Sequence, residues 1–180
     1  VRLHRLRADR ASVSGFDNID YSEFTSPPLT TFDQPKRTIG TEAGPLRGQF
    51  SRAGDRLYVI HRSSPYLAIV DPPSLSVIEK VYVGPGAMAL KVDTQTDRIY
   101  LARRNARSVE IFDPLSLLPV DSIPTGADAA YLAIDGEGNN LYVALPEKDE
   151  VRVIRIVGRE TVTRIEVGKD PYGLALSGER

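Results

Sequence analysis

The stretch RIYLARRNARSVEIFDPLSLLPVDSIPTG, residues 98–126, decides how most of this chain folds. It begins with RIYLA, which is rich in bulky strand-forming residues, and the polar loop RRNAR separates this segment from the alternating segment SVEIF. DPLS predicts a turn, because the Asp side chain can bond the backbone and Pro presets the following φ. With the apolar run AMALKV before it and the more polar LPVDSIPTG at its end, the unit predicts four short β-strands.

The same unit recurs along the chain at a fixed spacing. Equivalent positions lie 42 residues apart, as shown by Tyr58, Tyr100 and Tyr142, by Gly84, Gly126 and Gly168, by Leu90, Leu132 and Leu174, and by Asp71 and Asp113. Four strands in such a repeat are typical of a β-propeller blade, and Gly- and Ala-rich first strands suit the crowded centre of a ring. Asp-Pro turns argue against a helical solenoid. We therefore predict a mainly β fold, a partial β-propeller with blades at about 44–84, 85–126 and 127–168 and the start of another at 169–180.

These repeats carry a family resemblance. RLYVIHRSSPYLAIVDPPSLSVIEKVYVG and RIYLARRNARSVEIFDPLSLLPVDSIPTG resemble YVTN-type propeller repeats, and VGKDPYGLALS is similar to the usual lead-in to a further blade. Repeats of this kind occur in surface-layer and other exported bacterial proteins and in propellers related to lactonases. Because these proteins differ in function, the resemblance implies a fold more than a function.

Residues 1–43 do not continue the repeat, since stepping back from Tyr58 by one period reaches Phe16. ASVSGFD and PPLTTF predict strands, and DYSEF can form a helical turn between them. DQPKRTIGTEA predicts the start of a helix, with Asp33 as N-cap and Pro35 in the first turn. Strand, helix and strand in this order predict a short α/β segment.

The segment 12–43 closely resembles the C-terminal subdomain of lactose-repressor (LacI) family regulators, through GFDNI followed by SPPLTTFDQP. The resemblance implies that Asp17 reaches into an effector cleft and that Gln34 lies near it, where a carboxylate can accept two hydroxyl donors from a sugar. The DNA-binding helix-turn-helix and the other cleft wall are not in this sequence. We expect pieces of two proteins, a fragment or fusion, joined between Ala43 and Gly44.

Composition excludes several kinds of site. The chain has 180 residues with 26% charged residues and a formal net charge of −1, which gives no electrostatic reason to expect nucleic acid. It has no cysteine, which excludes disulfides and thiolate metal sites, and no apolar run approaches the roughly 20 residues of a membrane-spanning helix. His61 has no partner in the aligned loops, where Arg103 and Leu145 take its position, and His4 lies in the basic stretch VRLHRLR. We predict structural roles for both histidines, no catalytic residue, no metal and no cofactor.

Basic residues cluster in the loops that follow the second strands. HRSS and RRNARS supply Arg62, Arg103, Arg104 and Arg107, and equivalent loops of a propeller lie on one rim. The third loop, LPEKDE, is acidic and interrupts the series. Two interpretations stay open: a solvated rim, or a patch that binds an anionic partner.

The sequence favours a non-catalytic propeller that serves as a binding or scaffold module, with an unidentified protein or carbohydrate partner. One alternative is the remnant of a sugar-responsive LacI-type regulator, and another is a lactonase-type propeller hydrolase. Open blade edges also predict self-association. We expect export or the cell surface if the propeller resemblance governs localisation, and the cytoplasm if the regulator resemblance does.

Overall fold

The computed structural model describes residues 14–16, 30–32 and 38–176. The chain divides into two compact units, Val1–Thr38 and Ile39–Arg180. The division falls shortly before the junction predicted between Ala43 and Gly44.

In the leading unit, β1 (Ser14–Phe16) and β2 (Thr30–Phe32) pair in parallel. Both strands were predicted from the sequence, and parallel partners require a crossover connection of about a dozen residues or more, which fits the chain length between them. The helical turn predicted between the strands lies outside the described residues, as do the N-cap Asp33 and Pro35.

The helix predicted to run from this point into residues 38–43 is wrong for those residues, which form coil and bends. Tertiary contacts in the propeller unit explain the difference. Ile39 packs against the buried residues Val59, Ala68 and Val70, and the Glu42 carboxylate accepts a bond from the Lys80 ammonium at 2.8 Å. Such packing overrides a local helix preference.

The second unit contains three antiparallel sheets of four strands each, as the repeat predicts. In each sheet the strands lie side by side in chain order. The first blade contains β3 (Pro45–Phe50), β4 (Leu57–His61), β5 (Tyr66–Asp71) and β6 (Ser76–Tyr82); the second contains β7 (Ala87–Val92), β8 (Ile99–Arg103), β9 (Ser108–Phe112) and β10 (Pro119–Pro124); the third contains β11 (Tyr131–Ile134), β12 (Asn140–Leu145), β13 (Glu150–Arg155) and β14 (Thr161–Glu166).

The Asp-Pro turns form as predicted. Asp71 accepts the Ser74 backbone N–H at 2.9 Å, and Asp113 accepts the N–H groups of Leu115 and Ser116 at 3.0 and 2.8 Å. These bonds, with those from the serine hydroxyls, lower the pKa of both carboxyl groups. The aspartates therefore fix the connections between third and fourth strands.

The core lies between the blades. Tyr58 of the first blade belongs to one apolar cluster with Leu90 and Leu101 of the second, and Tyr100 of the second belongs to another with Leu141 of the third. Both tyrosines are 1% exposed, although a tyrosine hydroxyl usually meets water or a hydrogen-bond partner. Burial raises the pKa of Tyr58 and raises that of Tyr100 to about 12. The repeat position of Tyr58 and Tyr100 is therefore buried in both of these blade interfaces.

The start of a further blade, predicted from YGLAL, is not a strand: residues 171–176 form coil. Each inner strand of the three blades pairs with the second strand of its own blade, and the described residues contain no such partner after Leu176. Among the described residues, no helix has the length and apolar character needed to cross a membrane.

Candidate binding site at the centre of the blades

Two of the predicted arginines are placed by the same device in successive blades. The Arg62 N–H donates to the Gly44 carbonyl at 2.7 Å, and the Arg104 N–H donates to the Gly86 carbonyl at 2.8 Å. Each glycine precedes an inner strand and has a positive φ, +69° and +80°. A Cβ on Gly86 would lie 3.2 Å from the Arg104 Cβ, so glycine also allows the close approach.

A ring of four repeat-equivalent residues lies beside these arginines. Leu46, Met88, Ala130 and Tyr172 are spaced 42 residues apart. They lie near the start of the inner strands β3 and β7, immediately before β11, and in the coil that follows the third blade. Together with Arg62 and Arg104 they line one cavity of about 590 Å³, which we call the mouth cavity. Sites for small molecules usually have volumes of about 300–1,000 Å³, so the mouth cavity is of suitable size.

Arg47 connects the three inner strands. Its Nε donates to the Met88 carbonyl at 3.1 Å and its Nη2 donates to the Ala130 carbonyl at 3.0 Å. The guanidinium carbon lies 4.4 Å from the centre of the Tyr131 ring, a cation–π distance. The sequence analysis missed Arg47, although the repeat offered a signal, since the aligned positions hold Ala89 and Tyr131.

Arg47 also lines a second cavity, of about 400 Å³, which we call the inner cavity. Its polar lining comes from Gln49, Lys91 and Tyr131, and Leu174 and Leu176 of the terminal coil complete it. Because Leu46 and Arg47 line both cavities, the Arg47 side chain lies where the two meet.

The other two predicted arginines do not line either cavity. Arg103 forms a bidentate pair with Glu110, with its Nε at 3.1 Å and its Nη2 at 2.5 Å from the carboxylate oxygens. The Arg107 side chain is exposed, and its carbonyl accepts the N–H groups of Thr125 and Gly126. In the third blade Pro146 takes the position of Arg62 and Arg104 and begins a short 3-10 turn, Pro146–Lys148.

His61 lies at the end of β4 and is fully buried. Neither ring nitrogen has a hydrogen-bond partner among the described residues. Nearby, the Glu42 carboxylate accepts bonds from Lys80 and the Ser64 hydroxyl, which lower its pKa. His4, Asp17 and Gln34 lie outside the described residues.

Among the described residues, the two cavities are lined by arginine, lysine, glutamine, tyrosine and apolar side chains, without a carboxylate, an imidazole or a serine. The described part of the chain also has no group of three or more His, Cys, Asp or Glu residues placed to hold a metal ion. This arrangement presents positive charge and hydrogen-bond donors beside an apolar floor.

Comparisons with known proteins find two separate likenesses, and no protein-family profile matches the chain. A short segment at the N-terminus is similar to transcriptional repressors. The repressor CytR of Escherichia coli K12 is 47% identical over 51 residues, which is 26% of this chain and 15% of the repressor. The repressor PurR of Vibrio parahaemolyticus is 57% identical over 35 residues, or 19% of this chain and 10% of the repressor.

The second likeness is to solved propeller structures. Hydrazine synthase of Kuenenia stuttgartiensis has a TM-score of 0.63 at 21% identity and covers 77% of this chain and 40% of its own. The periplasmic gluconolactonase PpgL of Pseudomonas aeruginosa has a TM-score of 0.62 at 19% identity, with 74% and 42% covered. The chain therefore spans less than half of these structures and a small part of the repressors. At this identity the structures show a shared propeller-type fold.

Proposed function

We propose that this chain is a non-catalytic propeller module that binds an anionic ligand in the mouth cavity. One observation carries the proposal: Arg62 and Arg104, from equivalent positions of two YVTN-like blades, line the same cavity. Arginine presents a planar fork of donors that matches carboxylate and phosphate oxygens. The described residues that line the cavities support binding without catalysis, because they include no carboxylate, imidazole, serine or threonine that could form a nucleophile–base pair.

Calorimetric titration with inorganic phosphate at constant ionic strength tests the binding proposal. The Arg62→Gln/Arg104→Gln variant is compared with the matched control Arg107→Gln/Arg164→Gln, which removes the same charge from exposed sites outside both cavities. We expect the control to bind phosphate with the wild-type affinity. The Arg62→Gln/Arg104→Gln variant should bind phosphate about tenfold or more weakly, because it loses one or two charge-assisted hydrogen bonds. Equal affinities for the two variants would contradict the proposal.

Absence of catalysis has its own test, since propeller relatives include a gluconolactonase. We expect δ-gluconolactone to open in the presence of this protein at the rate of the buffer alone. A rate that rises in proportion to protein concentration, and falls in the Arg47→Met variant, would instead support the hydrolase alternative.

A second candidate function is favoured by the repressor similarity, which is high but short. Here residues 12–43 would retain sugar recognition through Asp17. A rise in melting temperature with small sugars such as ribose, lost in Asp17→Ala, would support this function. Melting curves that ribose leaves unchanged would remove it.

We also propose that the propeller unit associates with itself through its outer strands. Ile78, Val120 and Val162 occupy one repeat position on β6, β10 and β14 and are 57%, 53% and 48% exposed. These strands lie at sheet edges, where unpaired backbone groups can pair with another chain. We expect light scattering to show a mass that rises with concentration, and Val162→Lys to reduce it; a constant monomer mass would refute the idea.

A further inference from the structure

The mouth cavity has two chemically different parts. Leu46, Met88 and Ala130 supply an apolar floor, and Tyr172 stands beside it with 81% of its surface exposed. Arg62 and Arg104 supply positive charge, and both are exposed. Among the described residues no side chain forms a hydrogen bond or ion pair with either guanidinium, and both arginines line the mouth cavity.

The Arg47 guanidinium is less available to an anionic ligand than those of Arg62 and Arg104. Its guanidinium donates to two backbone carbonyls and stacks on Tyr131. Arg47 lines both cavities, and its two bonds connect β3 to the second and third blades. The exposed donors at the rim and the apolar floor beneath them are thus separate features of one concave site.

From this division we infer that the ligand is a small amphipathic carboxylate, with an apolar, ring-bearing body on the floor and against Tyr172 and its carboxylate at Arg62 and Arg104. This inference rests on the proposed anion-binding function and specifies its ligand class. A hydrophilic anion would leave the apolar floor and the exposed tyrosine ring without a contact. A neutral apolar ligand would leave the two arginines without one.

The position of Tyr172 supports an aromatic contact. The equivalent residues in the preceding blades are Leu46, Met88 and Ala130, so an aromatic side chain at this repeat position is specific to the terminal coil. Tyr172 lies in coil, and the neighbouring Asp170 N–H donates to the Asp149 carboxylate at 3.1 Å, which ties this segment to the third blade. The exposed Tyr172 ring lines the mouth cavity and is available to a ligand ring at the offset or edge-on distances that aromatic pairs prefer.

Three related probes separate the two requirements by calorimetric titration: 4-phenylbutyrate, butyrate and 4-phenylbutanol. We expect 4-phenylbutyrate to bind about tenfold tighter than butyrate, because part of its phenyl surface leaves water. It should also bind about tenfold tighter than 4-phenylbutanol, which cannot form a charge-assisted bond with arginine. The Arg62→Gln/Arg104→Gln variant should bind the acid as weakly as the alcohol.

Tyr172→Ser should weaken 4-phenylbutyrate and leave butyrate unchanged. Its matched control is Tyr82→Ser, which removes a tyrosine that is 65% exposed on β6 and does not line the mouth cavity. Equal affinities for 4-phenylbutyrate and butyrate, with both lost in the arginine variant, would overturn the amphipathic ligand and leave the anion-binding function intact. Failure of all three probes and of phosphate would overturn both.

Discussion

Replacing Arg47 with Met tests how the propeller unit is held together at its centre. Met keeps an unbranched, apolar side chain in the position of the arginine stem but removes the guanidinium. The bonds to the Met88 and Ala130 carbonyls, at 3.1 and 3.0 Å, are lost, as is the stacking on Tyr131 at 4.4 Å. These bonds join the first blade to the second and third, so the change acts on the contacts between blades.

The expected cost follows from these contacts. A hydrogen bond with a charged partner contributes about 1.5–3 kcal/mol when well buried. Arg47 is half-buried and water in the two cavities can replace its donors, so we take about 1 kcal/mol for each bond and about 0.5 kcal/mol for the cation–π contact. Arg47→Met should therefore lower the free energy of unfolding by about 2–3 kcal/mol.

Urea denaturation followed by far-UV circular dichroism measures this loss. With a slope of about 2 kcal/mol per molar urea, the midpoint should fall by about 1 M. Arg164→Met is the matched control, because the Arg164 side chain is exposed on β14 and makes no hydrogen bond or ion pair with the described residues. Its midpoint should stay within the small range of surface substitutions. Equal midpoints for the two variants would refute the role given to Arg47.

Three further predictions concern stability. His61→Leu should raise the free energy of unfolding by about 1 kcal/mol in urea denaturation. The buried imidazole has no hydrogen-bond partner among the described residues, and the third blade holds Leu145 at this position. A loss of stability would show that the imidazole forms hydrogen bonds in the folded protein. Tyr100 has a pKa of about 12 in the folded state, whereas a tyrosine of the unfolded chain loses its proton near pH 10. The free energy of unfolding should therefore fall as pH rises through this window, by about 2 kcal/mol more than in Tyr100→Phe. Parallel curves for the two proteins would contradict this. Asp71 and Asp113 have lowered pKa values, so the stability that they contribute is present above the pKa of the unfolded chain and is lost as pH falls through the folded pKa. Thermal melts between pH 5 and pH 2 should therefore show a smaller loss of stability in Asp71→Asn/Asp113→Asn than in the unchanged protein. An equal loss would count against the turn bonds.

Sequence reasoning reached the blades because their determinants are local. Asp113 and Pro114 specify a turn within a few residues, and the spacing from Tyr58 to Tyr100 reflects one structural unit repeated without gaps. Each of these signals is independent of distant parts of the chain, so the propeller-type fold was predictable.

The site was only partly predictable, because neighbouring residues are separated by tertiary structure. Arg103 and Arg104 are adjacent in sequence, but Arg103 ends β8 and pairs with Glu110, whereas Arg104 turns towards Gly86 and the mouth cavity. The partner of Arg103 was open to prediction, since β8 and β9 pair antiparallel across a short loop. The repeat marks Arg47 as unusual beside Ala89 and Tyr131, but its contacts were not predictable, because its acceptors are backbone carbonyls of two other blades.

Local preference also failed where partners decide the structure. The coil at residues 38–43 follows the contacts of Ile39 and Glu42 with the first blade, although the same residues read as a helix in isolation. YGLAL reads as an inner strand, but a strand forms only with a neighbour to pair with. Both errors arise at the ends of the repeat, where the sequence pattern no longer states what lies beside it.

Carboxylate binding at Arg62 and Arg104 can be observed at the two guanidinium groups themselves. NMR detection of the arginine Nε–Hε signals during titration with 4-phenylbutyrate tests it most directly, in the protein and in variants that assign the signals. We expect shifts for Arg62 and Arg104 that saturate with one affinity, smaller changes for Arg47, and none for Arg107 and Arg164. Shifts spread evenly over exposed arginines, or confined to residues outside the mouth cavity, would contradict it.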